Sequence, residues 1–297
     1  MSVLWAVMDI GTNSCRLLVA NYDRETGKIK AVKRALRVTR IGAGMNKENR
    51  LISSEALART LQALEGFSLL LKQYPLKKVF LLATQAVREA ENQEELRGII
   101  KTSLGWNLRI ISGEEEARLS YLGAVQGVEM KGVPAVIDIG GGSTEFVLAG
   151  EKQDLQIRSL PLGALRLWEN PLVDEKVQLL LHQELPKISF PPAFSLVGVG
   201  GTITTTAALK LALVHYDAVK VQGLKLSISE IKSFYERLKA MKPKERLQVP
   251  GITLGREDII VPGLQILLNL LSYCGQKEII VSEQDLLYGV IYAQGLN

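Results

Sequence analysis

Cysteine and histidine are nearly absent from this chain of 297 residues, which has two of each. Cys15 and Cys274 stand far apart in unrelated contexts, so there is no disulfide framework and no paired-cysteine zinc motif. A reducing, cytoplasmic setting is expected. His182 and His215 have no third histidine beside them, which removes most histidine metal clusters and a Ser-His-Asp triad; both read as surface or interdomain positions. A basic leader is missing too: SVLWAVMDIG is apolar but meets Asp9 early, and reads as a first strand rather than a signal peptide. The most apolar later run, IIVPGLQILLNLLSYCG, is broken by Pro262, Gly263, Gln265 and Asn269, which suits a buried helix and not a membrane span. Neither G-x-x-x-x-G-K-[ST] nor G-x-G-x-x-G occurs, so a P-loop and a dinucleotide fingerprint are excluded.

With 47% hydrophobic and 23% charged residues, the composition is that of a globular protein, and the length favours two domains over one core. Lys and Arg outnumber Asp and Glu by 36 to 31, an excess that fits an anionic substrate without specifying one. Apolar runs at strand length (LWAVMDI, RLLVANYD, KKVFLLATQAV, LRIISG, EIIVSE) interleave with stretches at helical spacing (53–74, ENQEELRGIIKTSLG, 171–188, 227–242, 262–274 and the final DLLYGVIYAQGLN). That interleaving predicts an α/β fold. Ser112, three residues before Glu115, predicts a capping box at a helix over 112–127, which also explains Glu114 and Glu115 without any catalytic role.

One internal repeat organises the chain. MDIGTNSCRLLVA (8–20) aligns with IDIGGGSTEFVLA (137–149): Asp9 with Asp138, Gly11 with Gly140, Ser14 with Ser143, Ala20 with Ala149. Each copy reads as strand, polar turn, strand, a β-hairpin whose tip carries the polar groups. The spacing suits two duplicated domains rather than a solenoid, and two such tips would build a cleft.

Consecutive glycines expose successive backbone N–H groups that can form a nest around phosphate oxygens, as at Gly140, Gly141, Gly142 and Ser143. A third loop sets Gly200, Gly201 and Thr202 directly before a helix, another arrangement suited to anions. Asp9 and Asp138 end their strands at these tips. Each either caps its own turn or holds Mg²⁺ that neutralises a phosphate. At the equivalent positions 16 and 145 the repeat exchanges Arg16 for Glu145, so one tip can grip phosphate and the other can place water or metal. Glu116, at the mouth of the intervening helix, is either a second carboxylate acting as general base or a surface residue. Arg88 and Arg166 read as ordinary surface arginines, although guanidinium groups suit phosphate.

AVMDIGTNSCRLLVA, ATQAVREAEN, ISGEEEARLSYLGAV, VIDIGGGSTEFVL, SLPLGALRL, GVGGTITTTAAL and IIVPGLQIL occur in the order found in exopolyphosphatases and guanosine pentaphosphate phosphohydrolases. From about residue 3 onward the chain resembles that family, which belongs to the actin-like ATPase superfamily. The resemblance implies two duplicated actin-like (ribonuclease H-like) domains, residues 1–115 with 283–297 and residues 116–282, around an interdomain active-site cleft. It implies Glu116 as catalytic base, Glu145 orienting water, and Asp138, with Asp9, tied to Mg²⁺. Asn13, Ser14, Arg16 and Arg88 would be phosphate ligands, and Gly140 to Ser143 and Gly200 to Thr202 would line the cradle. Where family members carry Arg and Glu near the C-terminus, this chain has Leu287 and Tyr288, which bears on C-terminal contacts and not on the glutamates.

The expected activity is release of terminal phosphate from inorganic polyphosphate by Mg²⁺-assisted attack of water. Hydrolysis of guanosine pentaphosphate is the alternative within the same chemistry; a sugar-kinase-like ATPase or a non-catalytic polyphosphate or nucleotide sensor are those outside it. No nucleic acid polymer and no membrane is expected as partner, and a homodimer is left open.

Overall fold

β1 (Ser2–Ile10) is apolar at most positions because both of its faces are covered. Ala6, Met8 and Ile10 turn to one core, Trp5 and Val7 to another. The computed structural model describes residues 2–46, 48–150, 154–186, 188 and 190–295. It divides the chain into two compact units, Met1–Leu119 with Leu286–Asn297, and Ser120–Asp285.

In the first unit β2 (Ser14–Asp23) returns antiparallel to β1 and β3 (Ile29–Val38) runs antiparallel outside it. On the other side lie β4 (Lys78–Ala83) and β5 (Leu108–Ile110), both parallel, giving the order β3-β2-β1-β4-β5. α1 (Ser54–Leu71) begins where Ser53 accepts the Ala56 N–H, as a Ser-x-Glu start predicts. Its Leu64 and Phe67 pack on Met8 and Leu17, beside Leu96 and Ile100 of α3 (Gln93–Leu104). The stretch after β4, expected to run into a loop, instead forms the five-residue α2 (Gln85–Glu89). Good helix formers and a 2.6 Å bond from Gln85 Nε2 to Glu89 Oε1, one turn on, account for it.

α4 (Gly113–Gly127) carries the boundary between the units. Its predicted capping box is half made. Ser112 Oγ accepts the Glu115 N–H at 3.1 Å, but the Glu115 carboxylate turns to Arg109 instead of returning to the cap.

The second unit repeats the plan. β6 (Val133–Ile139), β7 (Thr144–Ala149) and β8 (Leu155–Leu160) form an antiparallel meander. α5 (Ala164–Glu169) and α6 (Asp174–Glu184) lead to β9 (Phe194–Val199), parallel to β6. The helix expected over 171–188 is this shorter α6, and position 187 lies outside the described residues. α7 (Gly201–Lys210), α8 (Ala218–Val221), β10 (Lys225–Ser227), α9 (Ile228–Lys239), α10 (Pro243–Arg246), α11 (Ile260–Tyr273) and β11 (Glu278–Val281) complete the unit. α9 has the full capping box, Ser227 with Glu230. α11 starts two residues before Pro262, which is tolerated because first-turn amides need no helical partner. The sheet order is β10-β11-β9-β6-β7-β8, and reading it from β8 to β11 reproduces the first sheet. The fold is thus α/β with two sheets built on one duplicated plan.

α12 (Leu286–Gly295) returns to the first unit; positions 296 and 297 lie outside the described residues. Leu286, Leu287, Tyr288 and Ile291 join Trp5, Val7 and Leu18 in the core on the second face of the first sheet. Tyr288 also accepts a 2.6 Å bond from Arg34 Nη2 and lies under that guanidinium. Gly289 lets α12 approach α4 closely: a Cβ there would stand 1.9 Å from the Leu119 carbonyl oxygen. Among the described residues, no helix is long and apolar enough to cross a membrane.

Candidate active site

The two hairpin tips close alike. Gly11 N–H donates to Ser14 O at 3.1 Å, and Gly140 N–H donates to Ser143 O at 3.0 Å. The aligned charges then lie directly opposite each other across each hairpin, Asp9 against Arg16 and Asp138 against Glu145. In the first unit the pair is complementary: Arg16 Nε and Nη2 donate to Asp9 Oδ2 at 3.1 and 2.8 Å, and Asp9 is only 3% exposed. In the second unit it is carboxylate against carboxylate, an arrangement that destabilises a sheet unless cations or donors compensate. Ser120 Oγ donates to Asp138 Oδ2 at 2.7 Å and Ser159 Oγ donates to Glu145 Oε1 at 2.9 Å.

The first tip holds a further unsatisfied group. Asn13 is buried, and both polar atoms of its carboxamide lack hydrogen-bond partners, while its backbone carbonyl takes the N–H groups of Thr39 and Arg40. Such a side chain carries a desolvation cost that a ligand would relieve. Ser14 is buried beside it.

The three adjacent glutamates of α4 go three ways. Glu114 makes an exposed pair with Arg118, one turn on, and Glu115 pairs with Arg109. Glu116 is 8% exposed, and its Oε2 accepts from Arg88 Nη1 at 3.1 Å. The same nitrogen donates to Ile111 O at 2.7 Å, which ties the guanidinium to the end of β5. Arg88 and Glu116, distant in sequence, are thus brought together, and Arg88 is no ordinary surface arginine.

In the second unit α5 packs under the glycine tip. Its first amides take the tip carbonyls: Ala164 N–H bonds to Gly140 O, and Leu165 and Arg166 N–H both bond to Gly141 O. Arg166 Nε also donates to Gly142 O at 2.9 Å, so this arginine shapes the tip rather than serving as a surface group. No backbone acceptor among the described residues takes the Gly141 or Gly142 amide. That leaves the donor side of the nest for an anion. The β9–α7 turn lies against the same place. Gly200 has φ +89°, and a Cβ on it would stand 2.7 Å from Asp138 Oδ1. Gly201 and Thr202 then open α7, whose first amides face the end of the helix where anions are favoured.

No group of three or more His, Cys, Asp or Glu side chains among the described residues forms a metal cage. Magnesium needs none, since it keeps water and substrate oxygens and takes only one or two carboxylates from a protein. The opposed Asp138 and Glu145 fit that demand.

The Ppx/GppA phosphatase family matches residues 19–297. The chain belongs to the Ppx/GppA phosphatase family. Membership makes it a hydrolase of the phosphatase kind. Exopolyphosphatase 2 of Mycobacterium tuberculosis is 32% identical over 96% of this chain and 96% of that protein. A bifunctional 3-dehydroquinate synthase/phosphatase of Fusobacterium nucleatum is 31% identical over 97% of this chain but 46% of that protein, so the chain spans about half of that relative. The crystal structure of the Aquifex aeolicus Ppx/GppA family member superposes with a TM-score of 0.82 at 30% identity, covering 100% of this chain and 98% of that one.

Three residues of the candidate site escape sequence reasoning. Ser120 and Ser159 are ordinary serines until the fold sets them on Asp138 and Glu145. The guanidinium of Arg256 lies over Gly201, where a Cβ would stand 2.1 Å from its Cζ. Only the missing side chain at Gly201 admits it, and no local motif announces the pairing.

Proposed function

We propose that this phosphatase is an exopolyphosphatase, releasing the terminal phosphate of linear inorganic polyphosphate by attack of water. The observation that carries the reading is the exchange at one register position, Asp9 with Arg16 in one hairpin and Asp138 with Glu145 in the other. The first pair presents a cation suited to phosphate, and the second presents carboxylates suited to water and metal. The exopolyphosphatase relative that matches the chain end to end supports the choice of substrate.

In this mechanism Glu116, buried and held by Arg88, accepts the proton of the attacking water. Glu145, held by Ser159, orients that water. The water oxygen bonds to the terminal phosphorus as the bridging P–O bond breaks, and the bridging oxygen leaves with the shortened chain. The amides of Gly141 and Gly142, the α7 N-terminus, and the side chains of Asn13, Ser14, Arg16 and Arg88 take the charge spread over the phosphoryl oxygens. Asp138 and Glu145, with Asp9 at the equivalent place in the first hairpin, are the residues that would hold Mg²⁺, whose chemistry is to neutralise phosphate charge.

Phosphate release from polyphosphate and from guanosine pentaphosphate, measured side by side, tests this reading. Faster turnover of polyphosphate is expected. Turnover of guanosine pentaphosphate alone would transfer the same chemistry to that substrate.

A further inference from the structure

Within the second unit, α6 and α11 pack against each other through Val177, Leu181, Leu267 and Leu270. Their later turns nonetheless leave a cleft of about 540 Å³, closed on a third side by Phe190. That volume falls among those of small-molecule sites. Leu181 and Asn269 are buried in it, while Gln178, His182 and Ser272 are exposed at its rim. Tyr273 forms a wall: the His182 ring meets its ring edge to face with centroids 5.0 Å apart, and the Phe190 ring does so at 6.3 Å. Among the described residues, no Asp, Glu, Lys or Arg side chain lines the cleft.

A gap between two helices is ordinary; the state of Asn269 is not. This side chain is 8% exposed, and its Nδ2 donates to Asp174 Oδ1 at 3.1 Å and to Gln265 O at 2.9 Å. Both partners are acceptors, so the nitrogen side of the carboxamide must face them. Gln265 Nε2 donates to the same Asp174 oxygen at 2.8 Å, which fixes the arrangement. The Asn269 carboxamide oxygen is what remains, and no donor among the described residues meets it. A buried acceptor of this kind carries a desolvation cost that a ligand N–H would recover. The cleft also touches elements of the candidate site. Phe190 packs edge to face on Phe146, the residue after Glu145, at 5.7 Å. Six residues before Asn269, about 9 Å along α11, Gly263 meets the Thr202 side chain in the first turn of α7 so closely that no Cβ would fit.

The geometry points to an effector site: the α6–α11 cleft binds an uncharged heteroaromatic ring of purine size, whose amino edge donates to the Asn269 carboxamide oxygen, and its occupant changes the rate of phosphate release. The aromatic walls select a flat ring. The absence of ionic side chains among the described lining residues selects an uncharged one, since an ion placed there would be desolvated without a partner. The Gln178 carboxamide at the rim offers a donor and an acceptor to a second edge of the ring, as glutamine does to adenine. Phe190 and α11 are the elements through which an occupant would reach Glu145 and Thr202. The site is distinct from the one proposed for catalysis and does not depend on which phosphoanhydride is hydrolysed.

Adenosine is the probe, and N6,N6-dimethyladenosine, which lacks the amino hydrogens, is its control. Binding to the full chain without substrate is read by titration calorimetry. Three variants are compared: Asn269→Leu removes the acceptor, Ser272→Trp fills the cleft from an exposed position, and Gln183→Ala alters α6 outside the cleft. Adenosine is expected to bind one per chain, and the dimethyl compound about tenfold or more weakly. Asn269→Leu and Ser272→Trp should each lose about tenfold or more in adenosine affinity, and Gln183→Ala none. Saturating adenosine should change kcat/KM for phosphate release about fivefold in the natural chain and leave Ser272→Trp unmoved, whether polyphosphate or guanosine pentaphosphate is the substrate turned over. No binding, or binding retained by Ser272→Trp, overturns the site even if polyphosphate is hydrolysed, and Ser272→Trp decides this even where Asn269→Leu fails to fold. Equal affinity for the dimethyl compound overturns the Asn269 contact. Binding that Ser272→Trp abolishes, with phosphate release unaffected by adenosine, upholds the site and overturns its effector role.

Discussion

Asp138 and Glu145 face each other directly across β6 and β7, at the register where the first hairpin sets Asp9 against Arg16. Among the donors that face these two opposed carboxylates are the hydroxyls of Ser120, to Asp138, and Ser159, to Glu145. If the repulsion is held for a cation, Glu145→Gln should relieve it. The metal-free variant is expected to gain roughly 0.2–1 kcal/mol, read by chemical denaturation. Mg²⁺ should raise the Tm of the natural chain and leave the variant unmoved, because binding to the folded state alone is what raises Tm. A variant less stable than the natural chain, yet still stabilised by Mg²⁺, would contradict this account of the pair.

Arg16 answers to Asp9 in the opposite sense. Arg16→Met strips a 3%-exposed carboxylate of two donors, and a loss of about 3 kcal/mol is expected. The double variant Asp9→Asn, Arg16→Met should recover part of that loss in urea unfolding, since the uncompensated charge is gone.

Gly289 is the close-approach point between α12 and α4. Gly289→Ala must push the helices apart, and a loss of about 1–3 kcal/mol is expected by thermal and urea unfolding. The same substitution at Gly66 meets no atom within 4 Å and serves as control.

Both thiols are pushed up to about 12, chiefly by burial; at Cys15 the Thr39 hydroxyl opposes that shift and the Asp9 charge adds to it. A raised folded value means the stabilisation is whole below the ordinary 9.0 and is lost as pH rises from there toward 12. In the native protein at pH 8 the buried Cys15 should therefore resist thiol reagents that label it after unfolding. Stability should decline with alkaline pH more steeply than in a Cys15→Ala, Cys274→Ala variant.

Much of this was legible in the sequence because it is local. Ser53 announces α1, the glycine tips announce themselves, and the alignment of Asp9 with Asp138 carries the duplication. The short α2 was not legible, since five residues give no helical period to read. The half-made box at Ser112 failed because Arg109 competes for the Glu115 carboxylate, a partner that only the β5–α4 turn provides. Leu287 and Tyr288 looked like a departure near a functional segment; they are buried in the core formed with Trp5 and Val7. Ser120, Ser159 and Arg256 stayed hidden for a common reason. Each acts through a contact between elements, and nothing in its own neighbourhood marks it.

The central claim is that Glu116, held by Arg88, takes the proton from the attacking water. Phosphate release from polyphosphate by Glu116→Gln tests it most directly, since glutamine keeps the size and can still accept from Arg88. The account predicts a fall in kcat on the order of 10²–10⁴ with KM nearly unchanged. A Glu116→Gln variant that releases phosphate as fast as the natural chain would contradict it.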